Sequence, residues 1–371
     1  MRFQILYIAL FLFIHNSYSQ NLDSISYKNI DSLDDSKISV SGYLDTYFGY
    51  DYSKPENFDR SYSVSSSRHN EFNINLAYLD VKYVSKKVRG RIVPSFGTYM
   101  NSNYASEKGT FKNLLEANAG ICLSLKKNIW MDAGILSSPF TNETAISKDQ
   151  LMYTRSFAAE YSPYYLSGVK LSYPINKKIT TYFYIINGWQ QINDLNKSKS
   201  LATQIEYHPT DNFLINWDTY IGDEKSIDNK NFKTRFFTDL YFVYDKGGRC
   251  SFTSCSYIGF QKLKDSLDVP SNVFWWQSNF SGLIKLKNNV SLAGRIEYFS
   301  DPNAIQIHPI TSAIGFSSYS GGLCLNVKIS KNAMFRMEDR IYYSDQKVYF
   351  DRNNKESNTS NLLIGSLAVW F

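Results

Sequence analysis

The sequence has little of what most enzymes and helical membrane proteins require. It contains four cysteines and four histidines in 371 residues, and so few cysteines exclude a disulfide scaffold. Cys250 and Cys255 have opposite parity along one predicted strand, so we do not expect them to pair. After residue 19, no apolar run approaches the roughly 20 residues of a membrane-spanning helix. The net charge of +6 is spread along the chain rather than gathered into a basic stripe, so no nucleic-acid partner is expected.

The first twenty residues, MRFQILYIALFLFIHNSYSQ, have the pattern of a secretory signal. One basic residue, Arg2, precedes an apolar run, and small residues follow at the spacing of a cleavage site. We therefore predict a signal peptide at residues 1–19. The polar stretch at residues 20–36 is expected to be a flexible periplasmic lead-in.

Aromatic residues are abundant although the chain is polar on average. The mean hydropathy is −0.34, yet 29 Tyr, 25 Phe and 6 Trp make up 16% of the sequence. A packed soluble domain rarely combines these properties. They are typical of a barrel with one face toward lipid, one face toward water and aromatic girdles at its rims.

From about residue 37 to residue 371, segments of period-2 alternation recur with no helical period between them. In LLEANAGICLSLKK, for example, apolar residues occupy every second position from Leu115 to Leu125. Short and long polar connections alternate strictly between these segments. Short turns are predicted at 85–87, 126–128, 175–178, 208–212, 246–249, 287–289 and 330–332. Long loops are predicted at 51–70, 101–113, 137–150, 190–199, 222–231, 262–271, 301–310 and 345–358.

These fifteen connections predict sixteen strands in one all-β domain. The fold class is a transmembrane up-and-down antiparallel β-barrel over residues 37–371, with both termini on the short-turn, periplasmic side. The chain ends in NLLIGSLAVWF, whose last strand must pair with the first because an open edge in lipid leaves backbone groups unsatisfied. Phe371 is then expected in the periplasmic girdle, as a terminal aromatic signal for the barrel-assembly machinery.

The topology also argues against catalysis. Of the histidines after residue 19, His69 and His308 lie in predicted long loops, whereas His208 lies in a short turn on the opposite side of the membrane. Neither a G-x-S-x-G nor an H-E-x-x-H motif occurs. We expect no catalytic residues, no metal site and no cofactor.

Four blocks carry a family resemblance: MDAGILSSPFTNE (131–143), YTRSFAAEYSPYYLSGVKLSY (153–173), IINGWQQI (185–192) and DTYIGDE (218–224). In order and spacing they resemble the β-barrel porin family of the OmpL-like type, common in the Bacteroidetes lineage. The resemblance extends over residues 38–371. It implies a pore in the bacterial outer membrane but no particular solute and no catalytic residues.

Charged residues within the strands are expected to face the lumen, because Arg or Lys facing lipid at midplane costs about 2–4 kcal/mol. The candidates for lining a pore are Arg89, Arg91, Arg235, Asp239, Arg295, Glu297, Arg336, Glu338 and Arg340. They would tune the passage of ions and solutes. Alternatively, they pair with one another and fill the lumen. A barrel of sixteen strands favours the open channel.

Two local hypotheses concern loops. Loop 137–150 either folds inward, so that Glu143 and Asp149 narrow the pore opposite Arg89, Arg91 and Arg336, or lies outside in solvent. Trp189 is interpreted as a girdle residue, with stacking on a sugar as the alternative.

The sequence therefore predicts an outer-membrane channel for passive diffusion of small hydrophilic solutes or ions, with a slight anion preference. The alternative is a non-conducting structural or adhesin-like barrel with a filled lumen. The expected partners are the outer-membrane lipid bilayer, the solutes and the barrel-assembly machinery. A homotrimer is compatible with analogy to porins but is not indicated by the residues.

Overall fold

The computed structural model describes residues 36–226, 229–245, 247–264 and 272–371. The predicted signal peptide at residues 1–19 lies outside the described residues, as does the lead-in at residues 20–36 except for Ser36. Parts of the connections at 222–231, 246–249 and 262–271 also fall outside them.

Sixteen antiparallel strands form a closed barrel, as predicted. The barrel strands are β1 (Lys37–Asp51), β2 (Phe72–Val84), β3 (Val88–Phe96), β4 (Leu114–Ser124), β5 (Ile129–Ser137), β6 (Tyr165–Pro174), β7 (Ile179–Ile186), β8 (Ser200–Thr210), β9 (Phe213–Asp223), β10 (Phe232–Asp245), β11 (Cys250–Leu263), β12 (Asn272–Lys287), β13 (Val290–Asp301), β14 (Phe316–Ser330), β15 (Ala333–Tyr343) and β18 (Thr359–Trp370). A small ribbon, β16 (Tyr349–Phe350) with β17 (Glu356–Ser357), lies in the last loop.

The first and last strands close the barrel. β1 pairs with β18 in a continuous register from Tyr43 opposite Trp370 to Asp51 opposite Leu362. Every other barrel strand pairs with its neighbours in chain order. The closed sheet therefore has no free edge, which satisfies the backbone hydrogen bonds that lipid cannot.

Side chains alternate between the two faces of the wall, as the period-2 pattern predicts. On β10, Phe236 and Leu240 are exposed on the outside, whereas Arg235 and Asp239 are buried on the inside. The outer face is apolar at most positions; Ile296, for example, is 69% exposed. Aromatic and branched residues therefore meet lipid, and charged residues point into the barrel.

The connections separate into two rims. On the rim that contains Phe371, the strands join through short turns in which Asn128 and Gly247 adopt left-handed conformations, with φ of 52° and 63°. The long connections lie on the opposite, extracellular rim. They contain the short helices α1 (Thr98–Asn103) and α2 (Phe157–Glu160) and the 3₁₀ turns Gly109–Asn113 and Ser147–Asp149. In the described part of the chain, no helix is long and apolar enough to cross a membrane.

Three predicted loop boundaries are wrong by four or more residues. The second long loop begins at 97 rather than 101, and the seventh ends at 315 rather than 310. The largest difference is in the third. The third long loop was expected to end at residue 150, but β6 begins only at Tyr165, so the connection spans 138–164. Its second half is rich in apolar and aromatic residues, which suggested the start of a strand. Those side chains are instead buried inside the barrel.

Candidate functional site

The segment 138–164, here called the inner loop, lies within the lumen rather than outside in solvent. It leaves β5 on the extracellular rim, and most of its residues are buried, among them Phe140, Met152 and Arg155. Its bonding partners lie on β1 and on β10–β15, strands far from β5 in sequence. Of the two placements considered for the loop at 137–150, the structure has the inward one.

Carboxylates on the barrel wall accept hydrogen bonds from the loop backbone. Glu338 on β15 accepts from the amides of Tyr153 (2.7 Å) and Thr154 (2.9 Å). Glu297 on β13 accepts from the amide of Phe157 at 2.6 Å, and Asp239 on β10 accepts from that of Thr141 at 2.7 Å. The wall thus supplies acceptors for loop amides that have no strand partner.

Arginines on the same wall donate to the loop carbonyls. Arg336 donates to the oxygens of Gln150 (2.7 Å) and Met152 (3.1 Å). Arg295 donates to the carbonyl of Thr154 at 2.8 Å, and Arg340 donates to the carbonyl of Arg155 at 2.7 Å. The backbone of the loop is therefore held from both its donor and its acceptor sides.

The inner loop also holds its own shape. Arg155 donates to the carbonyls of Thr144 (2.5 Å) and Ala145 (2.6 Å). Glu143 accepts from the amide of Ser156 at 2.6 Å and pairs with Arg295 at 3.2 Å. Glu143 thus contacts a basic wall residue outside the expected set of Arg89, Arg91 and Arg336. Asp149 is partly exposed and pairs with its neighbour Lys148 at 2.8 Å.

A second charged group lies on the inner face of β2–β5, toward the periplasmic rim. Arg91 pairs with Asp80 at 2.8 Å and with Glu116 at 2.7 Å. Arg89 donates from Nε to Asp132 at 2.6 Å. The side chains of both arginines keep part of their surface accessible. All nine proposed pore-lining residues therefore lie on the inner face: these two are partly exposed, and the other seven are buried.

The prediction that Trp189 is a girdle residue is wrong. Instead of forming part of the outer girdle, its ring lies inside the extracellular mouth, stacked on Phe140 with centroids 5.8 Å apart. It also meets Tyr220 and Phe237, each at 5.0 Å. Trp189 belongs to a loop, where strand parity gives no information about direction. Phe140 and Arg155 of the inner loop were missed for the same reason.

The inner loop also contacts the loop between β1 and β2. Glu160 accepts hydrogen bonds from the amides of Val64 (2.5 Å) and Ser65 (3.2 Å). Burial raises the pKa of Glu160 above the ordinary value for a glutamate, and the amide hydrogen bonds oppose this only in part. This buried carboxylate joins two loops at the extracellular mouth.

The comparisons with known proteins agree with this architecture. Residues 37–371 match the family model described as "Putative beta-barrel porin-2, OmpL-like". A search of curated proteins found no match.

Similar solved structures include the outer membrane channel DcaP of Acinetobacter baumannii, with a TM-score of 0.62, 11% identity and coverage of 91% of this chain and 97% of that one. The anion-selective porin from Comamonas acidovorans has a TM-score of 0.58 and 8% identity, covering 91% of this chain and 100% of that one. OmpT of Vibrio cholerae, in a trimer form, has a TM-score of 0.57 and 11% identity, covering 91% and 99%. At such low identity these three establish the fold alone. Because the family model extends over all sixteen barrel strands, the chain belongs to the OmpL-like β-barrel porins of the bacterial outer membrane.

Proposed function

We propose that this porin is a diffusion channel whose bore is set by the inner loop. Small hydrophilic solutes or ions would pass along the charged wall of β2–β5 that the loop leaves uncovered. The observation that carries this proposal is the contrast between the two walls. Arg295, Arg336 and Glu338 are buried under the loop, whereas Arg89 and Arg91 keep accessible surface on the inner face.

The position of the 3₁₀ turn Ser147–Asp149 supports a narrow passage. Tyr43 of β1 hydrogen-bonds to Ser147 at 2.6 Å and stacks on Tyr78 of β2 with centroids 5.3 Å apart. The turn therefore lies next to the wall that leads to Arg91. Lys148 and Asp149 on this turn are partly exposed, so they would face the passage and form its constriction.

Planar-bilayer recording tests this function. Deletion of residues 141–148 removes the loop tip and is expected to raise the single-channel conductance of the refolded protein. An unchanged conductance would show that the loop does not set the bore. Reversal potentials in a salt gradient test the slight anion preference suggested by the net charge of +6; a cation-selective channel would contradict it.

A non-conducting scaffold or adhesin-like barrel is the second candidate. It is favoured by an aromatic cluster in the extracellular half, where Phe157 packs against Phe299, Phe316 and Tyr342 with centroids 5.7–5.9 Å apart. Liposome swelling distinguishes the two functions, because a filled barrel does not admit small sugars. In the described ranges, no group of three or more His, Cys, Asp or Glu could hold a metal ion.

We further propose a homotrimer whose contact includes Asp339. This residue is exposed on the outer face of β15, between the exposed apolar residues Met337 and Ile341. An acidic side chain toward lipid destabilises a barrel, whereas a neighbouring subunit would shield it. Asp339→Leu is expected to shift the sedimenting species in detergent toward the monomer. A variant that is more heat-stable but unchanged in mass would place Asp339 against lipid and contradict the proposal.

A further inference from the structure

Arg235 differs from the other charged residues of the inner wall. It is 4% exposed, and its Nε donates to Gln261 at 2.9 Å. Within the described parts of the chain, no acceptor bonds to its Nη1 or Nη2 groups and no carboxylate pairs with it. Arg336 and Arg340, by contrast, direct these groups at loop carbonyls or carboxylates. Arg235 is therefore a buried guanidinium whose forked edge bonds to none of the residues that the structure describes.

Two indole rings flank this guanidinium. Its Cζ lies 5.0 Å from the ring centroid of Trp189 and 5.2 Å from that of Trp275, distances at which a cation is attracted to an aromatic face. Stacking holds the guanidinium plane in position without using its N–H donors. The edge that carries Nη1 and Nη2 is thus kept in a fixed orientation.

Trp275 supplies a second unsatisfied donor at the same place. It is fully buried, and its indole Nε1–H finds no hydrogen-bond partner among the residues that the structure describes. A buried polar group without a partner is costly. One charged donor and one neutral donor therefore lie on neighbouring side chains, and neither has an acceptor among the described residues.

Gly259 makes this arrangement possible. A Cβ at this position would lie 2.1 Å from the Trp275 ring, so the indole can cross β11 only over a glycine. Arg235 and Trp275 are each the fourth residue of a strand that begins at the extracellular rim. The site is therefore built into the wall just inside the outer mouth.

The nearby acids limit the charge that the site accepts. Glu224 and Asp301 act electrostatically on Arg235, but each is engaged elsewhere. Glu224 accepts from the Tyr220 hydroxyl, and Asp301 accepts from the amides of residues 305–307. The negative charges of these two acids repel a ligand that carries several negative charges. A ligand with a single negative charge is repelled less.

We propose that Arg235 and Trp275 form a docking site for the carboxylate of a small organic monoanion entering the channel. A carboxylate matches the guanidinium fork in a bidentate manner and also accepts from the indole N–H. The organic part would lie against Trp189, the partly exposed ring of this aromatic cluster. The site identifies a class of solute for the proposed channel, and this inference rests on that proposed function.

Ligand-observed NMR titration of the refolded protein in detergent tests the site, with benzoate as probe and benzyl alcohol as the neutral analogue. Benzoate is expected to bind the wild type, and Arg235→Gln to weaken binding at least tenfold. Trp275→Phe keeps the ring but removes the donor, and it should weaken binding by a smaller factor. The matched control is Arg352→Gln, which removes the same charge from an exposed loop and should change nothing.

Three results would overturn the site: equal affinity of Arg235→Gln and the wild type, equal binding of benzyl alcohol, or equally effective competition by chloride. Circular dichroism checks that the barrel is intact in Arg235→Gln and in Arg235→Lys, which keeps the charge. Because binding is measured at equilibrium without ion flow, the site can fail while conductance persists. Benzoate binding to a protein that does not conduct would instead refute the channel and leave the site in place.

Discussion

Gly42 and Phe371 exchange two backbone hydrogen bonds across the seam of the barrel. The Gly42 amide donates to the Phe371 carbonyl at 3.2 Å, and the Phe371 amide donates to the Gly42 carbonyl at 3.1 Å. A Cβ on Gly42 would lie 2.4 Å from the terminal ring. The ring therefore occupies the space that a side chain at position 42 would need, and the last residue of the chain completes the closure.

Two roles of Phe371, its place in the seam and its predicted role in assembly, can be tested separately. Phe371→Ala keeps both backbone hydrogen bonds. The free energy of unfolding in detergent is therefore expected to change by less than about 1 kcal/mol, as for an exposed side chain. We predict that Phe371 is also an aromatic signal for the barrel-assembly machinery, so the amount of folded barrel in cells should fall. Heat-modifiable mobility on gels measures the folded fraction, both after refolding in detergent and in cells. Val369→Ala is the control, and an equal loss in cells for both variants would remove the special role of Phe371.

Glu338→Gln should loosen the inner loop. The carboxylate accepts from two loop amides and from the Thr154 hydroxyl, and an amide oxygen cannot replace both of its oxygens. Unsatisfied buried donors cost roughly 1–3 kcal/mol, so thermal stability should drop and the single-channel current should become noisier. The lipid-facing neighbour Met337→Leu serves as control. A quiet channel of wild-type stability would show that Glu338 does not anchor the loop.

Arg91→Gln should shift selectivity toward cations. The guanidinium lies between Asp80 and Glu116, and its loss leaves two carboxylates without their shared partner on the accessible wall. The reversal potential in a potassium chloride gradient should therefore move in the cation-selective direction. Arg249→Gln, in an exposed periplasmic turn, removes the same charge away from the wall. Identical shifts for both variants would mean that net charge, rather than the wall, sets selectivity.

Glu160 predicts a pH dependence of the extracellular mouth. Burial raises the pKa of Glu160 when the inner loop is docked on the loop between β1 and β2. This docked state therefore binds a proton more tightly than an open state in which the two loops are apart. Docking is therefore favoured most below the pKa of an exposed glutamate, about 4.3, and weakens as pH rises through the raised value. Current interruptions recorded from pH 4 to pH 8 should become more frequent with pH. Glu160→Gln should abolish this trend, and a trend that persists in the variant would assign it to another group.

Local chemistry explains why the barrel itself could be predicted. The period-2 alternation and the polar turns are properties of neighbouring residues, so strand number, strand order and the inward direction of Arg235 and Glu338 follow from short stretches. The position of every short turn between strands agrees with the structure. In a single-layer closed wall, parity alone decides which side chains meet lipid.

What the sequence determined by itself is therefore the wall: sixteen strands, a closed seam at Phe371 and a charged inner face. The tertiary structure decided what occupies the lumen. The Thr154–Glu338 contact joins residues 184 positions apart, and Trp189 reaches Arg235 from a different loop. A loop has no side-chain period to indicate its direction, so its path depends on partners that only the folded barrel brings together.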